Sequence, residues 1–230
     1  MSEFLTGSVF FGSFLSLFAF VVGLKCKARW KHPLANPMLI AIVLTLAVLL
    51  IFEIDYDSYY AGAKYISYFL TPATVCLAIP LYEQFELLRK NALAILAGIT
   101  AGVMTSLLTV LLLSVLFSFS HTEYVTFLPK SITTAIGMGV AEKLGGYVPI
   151  TVAVIIITGV FGNMFAEHLC RLFRITEPVA VGVAIGSSSH AIGTAKALEL
   201  GEIQGAISSL CIAVSGLLTV FASVLFAKFY

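Results

Sequence analysis

Residues 129–146 read PKSITTAIGMGVAEKLGG, and residues 182–201 read GVAIGSSSHAIGTAKALELG. Each stretch is too polar and too rich in small residues for an ordinary membrane span. Each is followed directly by a long apolar segment, Tyr147–Leu169 in the first case and Ile203–Phe226 in the second. The stretches resemble one another at an offset of 56 residues, which aligns Ser131 with Ser187. The same offset aligns Ala135-Ile136-Gly137 with Ala191-Ile192-Gly193, Ala141 with Ala197, and Leu144-Gly145 with Leu200-Gly201. A unit repeated with opposite orientation is the construction of many secondary transporters. Small residues also recur in membrane helices for packing reasons alone. As hairpins, the stretches would have arms of about nine residues reaching ~13 Å, close to half of a ~30 Å hydrocarbon core. The first would enter from outside and the second from inside, and their tips would meet near the midplane. Non-helical backbone at that depth is tolerated only where it is buried in protein or lines a wet cavity.

Composition supports a membrane setting. The chain has 230 residues, 60% of them hydrophobic and only 11% charged, against about 25% charged in soluble domains. Mean hydropathy is +1.04. Thirteen basic residues against 12 acidic ones leave a net charge of +1 and no basic tract for nucleic acid. Disordered, collagen-like and disulfide-scaffold classes are excluded by the high apolar content and by only 7 Pro and 4 Cys. No CxxC pair is present, so Cys26, Cys76, Cys170 and Cys211 are expected as free thiols. The sequence holds no GxSxG, HExxH or P-loop, and its four His residues are scattered, so neither an enzyme centre nor a metal or other cofactor is expected.

The fold expected is an all-α polytopic membrane protein with about six transmembrane helices, two oppositely oriented re-entrant hairpins in an inverted repeat, and a broken third helix. One domain over 1–230 is expected: spans 1–4 in 1–125, hairpin 1 and span 5 in 126–170, and hairpin 2 and span 6 in 178–230. Spans 1 to 4 are Phe4–Leu24, Leu34–Phe52, Tyr65–Tyr82 and Asn91–Phe117. His121, Glu123 and Tyr124 read as a short external loop after span 4. The third span is interrupted at Thr71-Pro72 and again at Pro80, and each proline frees a backbone carbonyl that needs a partner. Lys25, Lys27, Arg29 and Lys31 follow span 1, Arg89 and Lys90 follow span 3, and Arg171 and Arg174 follow span 5. By the positive-inside rule these ends face the cytoplasm and both termini are external. A topology in which both polar stretches cross fully would leave Arg171 and Arg174 outside.

The tips carry the candidate chemistry. The first offers Ser131, Thr133, Thr134, Gly137 and Gly139; the second offers Gly186, Ser187, Ser188, Ser189, His190, Gly193 and Thr194. Small residues admit close backbone approach, and hydroxyls and amides at a half-helix N-terminus can hold an anion. Ser189 and Thr134 are candidate N-caps of the returning arms. Each hydroxyl can instead bond back to its own helix. Lys130 and Lys196 are costly in the hydrocarbon region, so either neutralises a substrate carboxylate, or Lys130 snorkels outward and Lys196 pairs with Glu199. His190 reads as a substrate donor, a proton relay or a structural tie. Asn163, beside Gly159 and Gly162, reads as a helix-contact residue.

These motifs resemble the LrgB/CidB family, the larger partner of holin/antiholin-like pairs. The matching stretches are Leu34 to Pro37 (LANP), Pro72 to Gln84 (PATVCLAIPLYEQ), Pro129 to Thr134 (PKSITT), and Ser189 to Ala195 (SHAIGTA) with Gly205 and Ser208-Ser209-Leu210. They cover essentially the whole chain in order. Ala135 departs from the family, which often has Pro there. The resemblance implies either regulation of murein hydrolases and autolysis, or, through the similar plastidal glycolate/glycerate translocator and pairs linked to pyruvate, carriage of small monocarboxylates. It also implies a bacterial inner-membrane location, a homodimer, and room for a small LrgA-like membrane partner. The expectation is an alternating-access carrier of a small organic anion in the lipid bilayer. Its substrate would lie among Lys130, Ser131, Thr133, Thr134, Gly137, Ser188, Ser189, His190, Gly193, Thr194, Lys196, Thr71 and Pro72, with no nucleic acid, cofactor or metal involved. A holin-like modulator without carrier activity is the alternative.

Overall fold

The computed structural model describes residues 10–30 and 35–230. The start of the first span at Phe4, together with Lys31, His32 and Leu34, lies outside the described residues. The described residues are helical throughout, with no strand, and divide into two compact units, Met1–Cys76 and Leu77–Tyr230.

In the first unit, α1 (Phe11–Arg29) packs on α2 (Pro37–Ile51) and α3 (Tyr56–Ser67), and α4 (Leu70–Cys76) follows. Glycines set the contacts on α1. A Cβ on Gly23 would sit 2.6 Å from the Pro37 carbonyl oxygen, and one on Gly12 would strike the backbone of Tyr59 and Ala63. The Ser13 hydroxyl donates to the Gly62 carbonyl at 2.7 Å, and Ser16 pairs with the Tyr59 hydroxyl at 2.7 Å. Asn36 starts α2 by accepting from the amides of Met38 and Leu39 at 2.9 and 3.3 Å, with Pro37 at the first helical position. Asp55 caps α3. Its carboxylate accepts from the Ser58 amide and hydroxyl, both at 2.8 Å, and these bonds hold it below its usual range.

The second unit begins with α5 (Ala78–Glu83) and α6 (Phe85–Lys90), then α7 (Ala92–Leu116), α8 (His121–Phe127), α9 (Thr134–Leu144), α10 (Val148–Leu172), α11 (Pro178–Leu200) and α12 (Glu202–Phe226). Helices α7, α10 and α12 each have 25 residues, enough at ~1.5 Å per residue to cross a ~30 Å core. With α1 they are the four helices among the described residues that are long and apolar enough to span a membrane. Helix α2 is apolar but has only 15 residues. The expected third span is not continuous: Tyr65–Tyr82 is cut among α3, α4 and α5. Pro72 and Pro80 each stand third in α4 and α5, inside the first turn, where the missing N–H costs nothing. Each proline therefore restarts a helix rather than kinking one.

Helix α11 is a hairpin. His190 has φ +43° and ψ −143°, and the chain folds back there. A Cβ on Gly193 would lie 3.1 Å from the Ile185 side chain, eight residues back in sequence. Ala197 shares a buried cluster with Val181 and Ile185. A straight helix would hold such pairs ~12 Å or more apart. The other hairpin, the first in sequence, descends as α8, turns at 128–133 and returns as α9. Its descending arm is the segment around His121, Glu123 and Tyr124 that reads from sequence as an external loop. Ser120 and Glu123 form a reciprocal capping box that nucleates it. The arms thus start earlier than the polar stretches suggest, at His121 and Pro178.

Helix directions follow from the contacts. The first arm of α11 matches α7 at Gly98–Val183 and Gly102–Ser187, and α12 at Gly182–Ile207 and Gly186–Cys211. Positions rise together in both cases, so α7, this arm and α12 are parallel. The return arm matches α10 at Ile192–Asn163 and Lys196–Glu167, so α10 runs the opposite way. Each hairpin therefore leads into a 25-residue helix, and those two helices are antiparallel, as an inverted repeat requires. Ile95, Ile99, Val103 and Leu107 form a buried stripe on α7 against Ile207 and Cys211 of α12.

Gly162 accepts the hairpin tip with no room to spare: a Cβ there would collide with the Ser189 hydroxyl. Gly162→Ala is expected to cost about 1–3 kcal/mol by overpacking, read as a lowered thermal transition of the detergent-solubilised protein. At Gly139 a Cβ would meet nothing within 4 Å, so Gly139→Ala in helix α9 is expected to be neutral or to gain about 0.5–1 kcal/mol.

Candidate functional site

The two hairpin tips converge on the middle of α7. Ser131, at the tip of the α8–α9 hairpin, pairs with Ser106 through their hydroxyls at 3.0 Å. Ser187, near the tip of the α11 hairpin, lies against Gly102, one turn away. The α11 tip also rests on the middle of α10. His190 Nε2 donates to the Ile155 carbonyl oxygen at 3.0 Å, and its ring lies against Gly159. A carbonyl can only accept, so the imidazole proton sits on Nε2.

Beside the tips is a cavity of about 1530 Å³, lined wholly by residues of the second unit. One end is framed by Asn91, Leu172, Ile175 and Glu177, next to the basic residues Lys90, Arg171 and Arg174. The cavity runs inward past Ala94, Gly98, Phe165 and Phe161 to Gly102, Thr105, Ser106, Thr109, Lys130, Ser131, Thr158 and Ser187–Ser189. Beyond Thr109 on α7 and before Thr158 on α10, neither helix contributes to its lining. Instead Tyr124, fully buried, donates from its hydroxyl to the Phe226 carbonyl at 2.9 Å on that side.

The hydroxyls at the deep end are not equivalent. Ser187 and Ser188 donate to the carbonyls of Val183 and Ala184, each at 2.7 Å, so they present lone pairs to the cavity. Ser188 and Ser189 share a contact at 3.0 Å. Lys130 Nζ donates to Ser131 Oγ at 3.0 Å, and among the described residues it has no carboxylate partner. Donors for an anion are therefore concentrated at Lys130, Ser131 and Ser106.

Of the residues singled out in sequence, Lys130, Ser131, Ser187, Ser188 and Ser189 line the cavity. His190, Thr194, Gly193 and Gly137 build the hairpins. Thr194 donates to the His190 carbonyl at 2.9 Å and meets Ser208 at 2.7 Å. Gly137 packs against Ile155 and Pro129. Thr133 takes the N-cap position of α9, one place earlier than the cap expected, and Thr134 is its first helical residue. Lys196 stands outside the cavity lining, between Glu167 at 3.1 Å and Glu199 at 3.4 Å. Asn163 donates to the Ile192 carbonyl at 2.7 Å and ties the return arm to α10, the helix contact expected of it. Thr71 and Pro72 lie on α4 in the first unit and are exposed. All four cysteines are free thiols.

Thr105, Ser106, Thr109 and Thr158 line the deep end as well, and sequence reasoning missed them. The signal was present: Gly98, Gly102 and Ser106 recur every fourth residue in an apolar span, a small-residue face built for close approach.

A polytopic all-α membrane protein with two opposed hairpins meeting at a cavity is the class that this fold defines. The chain belongs to the LrgB-like family, whose profile matches residues 16–229. It is 37% identical over 207 residues to the holin-like protein CidB of Staphylococcus aureus (strain Mu50), covering 90% of each chain. It is 35% identical over 217 residues to the protein of the same name from Staphylococcus epidermidis (strain ATCC 12228), covering 94% of this chain and 95% of the relative. YxaC of Bacillus subtilis (strain 168), an uncharacterized protein, is 34% identical over 207 residues, or 90% of each chain. No solved structure matches.

A non-glycine residue at φ +43° carries about 1–3 kcal/mol of strain. His190→Gly is expected to lose the bond to Ile155 but to relieve that strain, whereas His190→Ala loses the bond and keeps it. Thermal denaturation in detergent should therefore rank wild type above His190→Gly, and His190→Gly above His190→Ala by about 1 kcal/mol or more.

Proposed function

We propose that this membrane protein is a carrier of small monocarboxylates in the bacterial inner membrane, working by alternating access. The observation that carries the reading is the cavity that runs from the basic end of the second unit to Lys130, where the two hairpin tips meet half-way along α7 and α10. By the positive-inside rule the basic end is cytoplasmic, which makes this the inward-facing state with both termini external. The substrate carboxylate takes the ammonium of Lys130 and the hydroxyls of Ser131 and Ser106. The lone pairs of Ser187 and Ser188 accept from a hydroxyl elsewhere on the solute. Lys196 serves the fold by its bridge to Glu167. Transport by a homodimer, with or without a small LrgA-like partner, is compatible with this arrangement.

The names of the relatives favour a different reading, a holin-like protein that modulates murein hydrolase activity and autolysis. Counterflow of labelled glycolate, glycerate, lactate and pyruvate in liposomes holding the purified protein separates the two. A carrier gives saturable exchange. Loss of a charge-assisted contact worth about 1.5–3 kcal/mol in Lys130→Gln should weaken apparent affinity roughly 10- to 150-fold, while Lys196→Gln retains exchange if it folds. Unselective leakage of large solutes, or lysis on expression that Lys130→Gln leaves unaltered, supports the holin-like reading instead.

A further inference from the structure

Among the described residues, Lys130 is the one charged residue at the deep end of the cavity. From α7 the groups facing it are Thr105, Ser106 and Thr109; from α10, Thr158; from α11, Ser187 to Ser189. All are neutral. His190 points away to Ile155, and the other titratable groups that line the cavity, His168 and Glu177, stand toward its basic end. The carboxylates that pair with cations in the second unit, Glu167 and Glu199, are spent on Lys196 and Arg171. The fold thus brings an amine to half-depth and supplies it with hydroxyls but no counter-charge. An isolated ammonium in such a place is unfavourable, and a buried lysine relieves the cost by releasing its proton or by gaining an anion.

We infer that Lys130 is a proton-coupling site: the amine is neutral when the cavity is empty, and it takes up a proton together with each monocarboxylate. The balance is simple. One carboxylate and one proton enter, the proton bonds to Nζ, and the resulting ammonium–carboxylate pair has no net charge. On release both leave on the same side. Loaded and empty forms are then both neutral at this depth, so neither carries charge across the bilayer and net uptake is indifferent to membrane potential. A dianion would leave one charge uncancelled and is disfavoured. This inference rests on the carrier reading above and assigns its coupling ion.

The test uses the full-length protein in liposomes, with labelled lactate, pyruvate and glycolate as probes. Internal pyranine reports proton entry, valinomycin and potassium set the potential, and protein-free liposomes give the background. The expected result is saturable uptake with a proton entering alongside each anion, acceleration as the external pH falls, and no response to potential. In Lys130→Arg the side chain keeps its charge throughout. What net uptake this variant retains should bring no proton, and it should respond to voltage. At about 100 mV inside-negative, accumulation should drop roughly 50-fold, since the potential acts on one charge with about 2.3 kcal/mol. Saturable wild-type uptake that follows the potential and brings no proton overturns the inference and leaves the carrier reading standing. Proton entry that persists in Lys130→Arg overturns Lys130 as the coupling site. Absence of saturable flux for all three anions overturns the carrier reading and the inference with it.

Discussion

Interrupted backbone half-way through an apolar slab must be sealed by protein. The second unit is organised around that constraint. The α11 tip breaks at His190, and the groups exposed there are covered by α10: the imidazole is anchored on Ile155, Ser189 is pressed onto Gly162, and Asn163 holds the Ile192 carbonyl. Glycines at these contacts are a steric requirement, because a single Cβ would strike the tip. Between helices in lipid there is little hydrophobic drive, so close approach and interhelical hydrogen bonds supply the cohesion. The same constraint explains the glycine and serine face of α7, where both tips dock.

Once the tips are sealed against α7 and α10, the space left beside them becomes the cavity. Its lining runs from Asn91 on α7 and Leu172 on α10 to Thr109 and Thr158, beside the two tips. The difference in polarity between its ends follows from which residues remain unpaired. Hydroxyls on α11 bond back to their own helix, while Lys130 projects from a turn and donates to Ser131.

The two lysines illustrate what sequence can and cannot separate. Each belongs to one of the two polar stretches, although the 56-residue offset aligns Lys130 with Gly186 and Lys196 with Val140, and the sequence offers each as an anion contact. The difference is decided by Glu167, which is 29 positions from Lys196 in sequence and 3.1 Å from it in space. A similar reason accounts for α8, whose Ser120–Glu123 capping box was visible in the sequence but competes with a loop reading across a short polar segment. The prolines of the broken region were legible as breaks. Their effect, a fresh helix begun at each, depended on their falling within a first turn.

The sequence by itself determined the membrane class, the long apolar helices α7, α10 and α12, the two small-residue interruptions and their kinship, because length, hydropathy and glycine content act locally and need no partner. It also marked Lys130 and Lys196 as costly in the hydrocarbon region, and His190 as a substrate donor, a proton relay or a structural tie. Only the tertiary structure decided that His190 turns the chain and anchors it, that Lys196 serves an ion pair, and that Ser106, Thr109 and Thr158 face the same space as Lys130. Those outcomes depend on which helix faces come together. That choice is made by the pairing of glycines with bulky tips across different helices, a property of shape in three dimensions that no single segment carries.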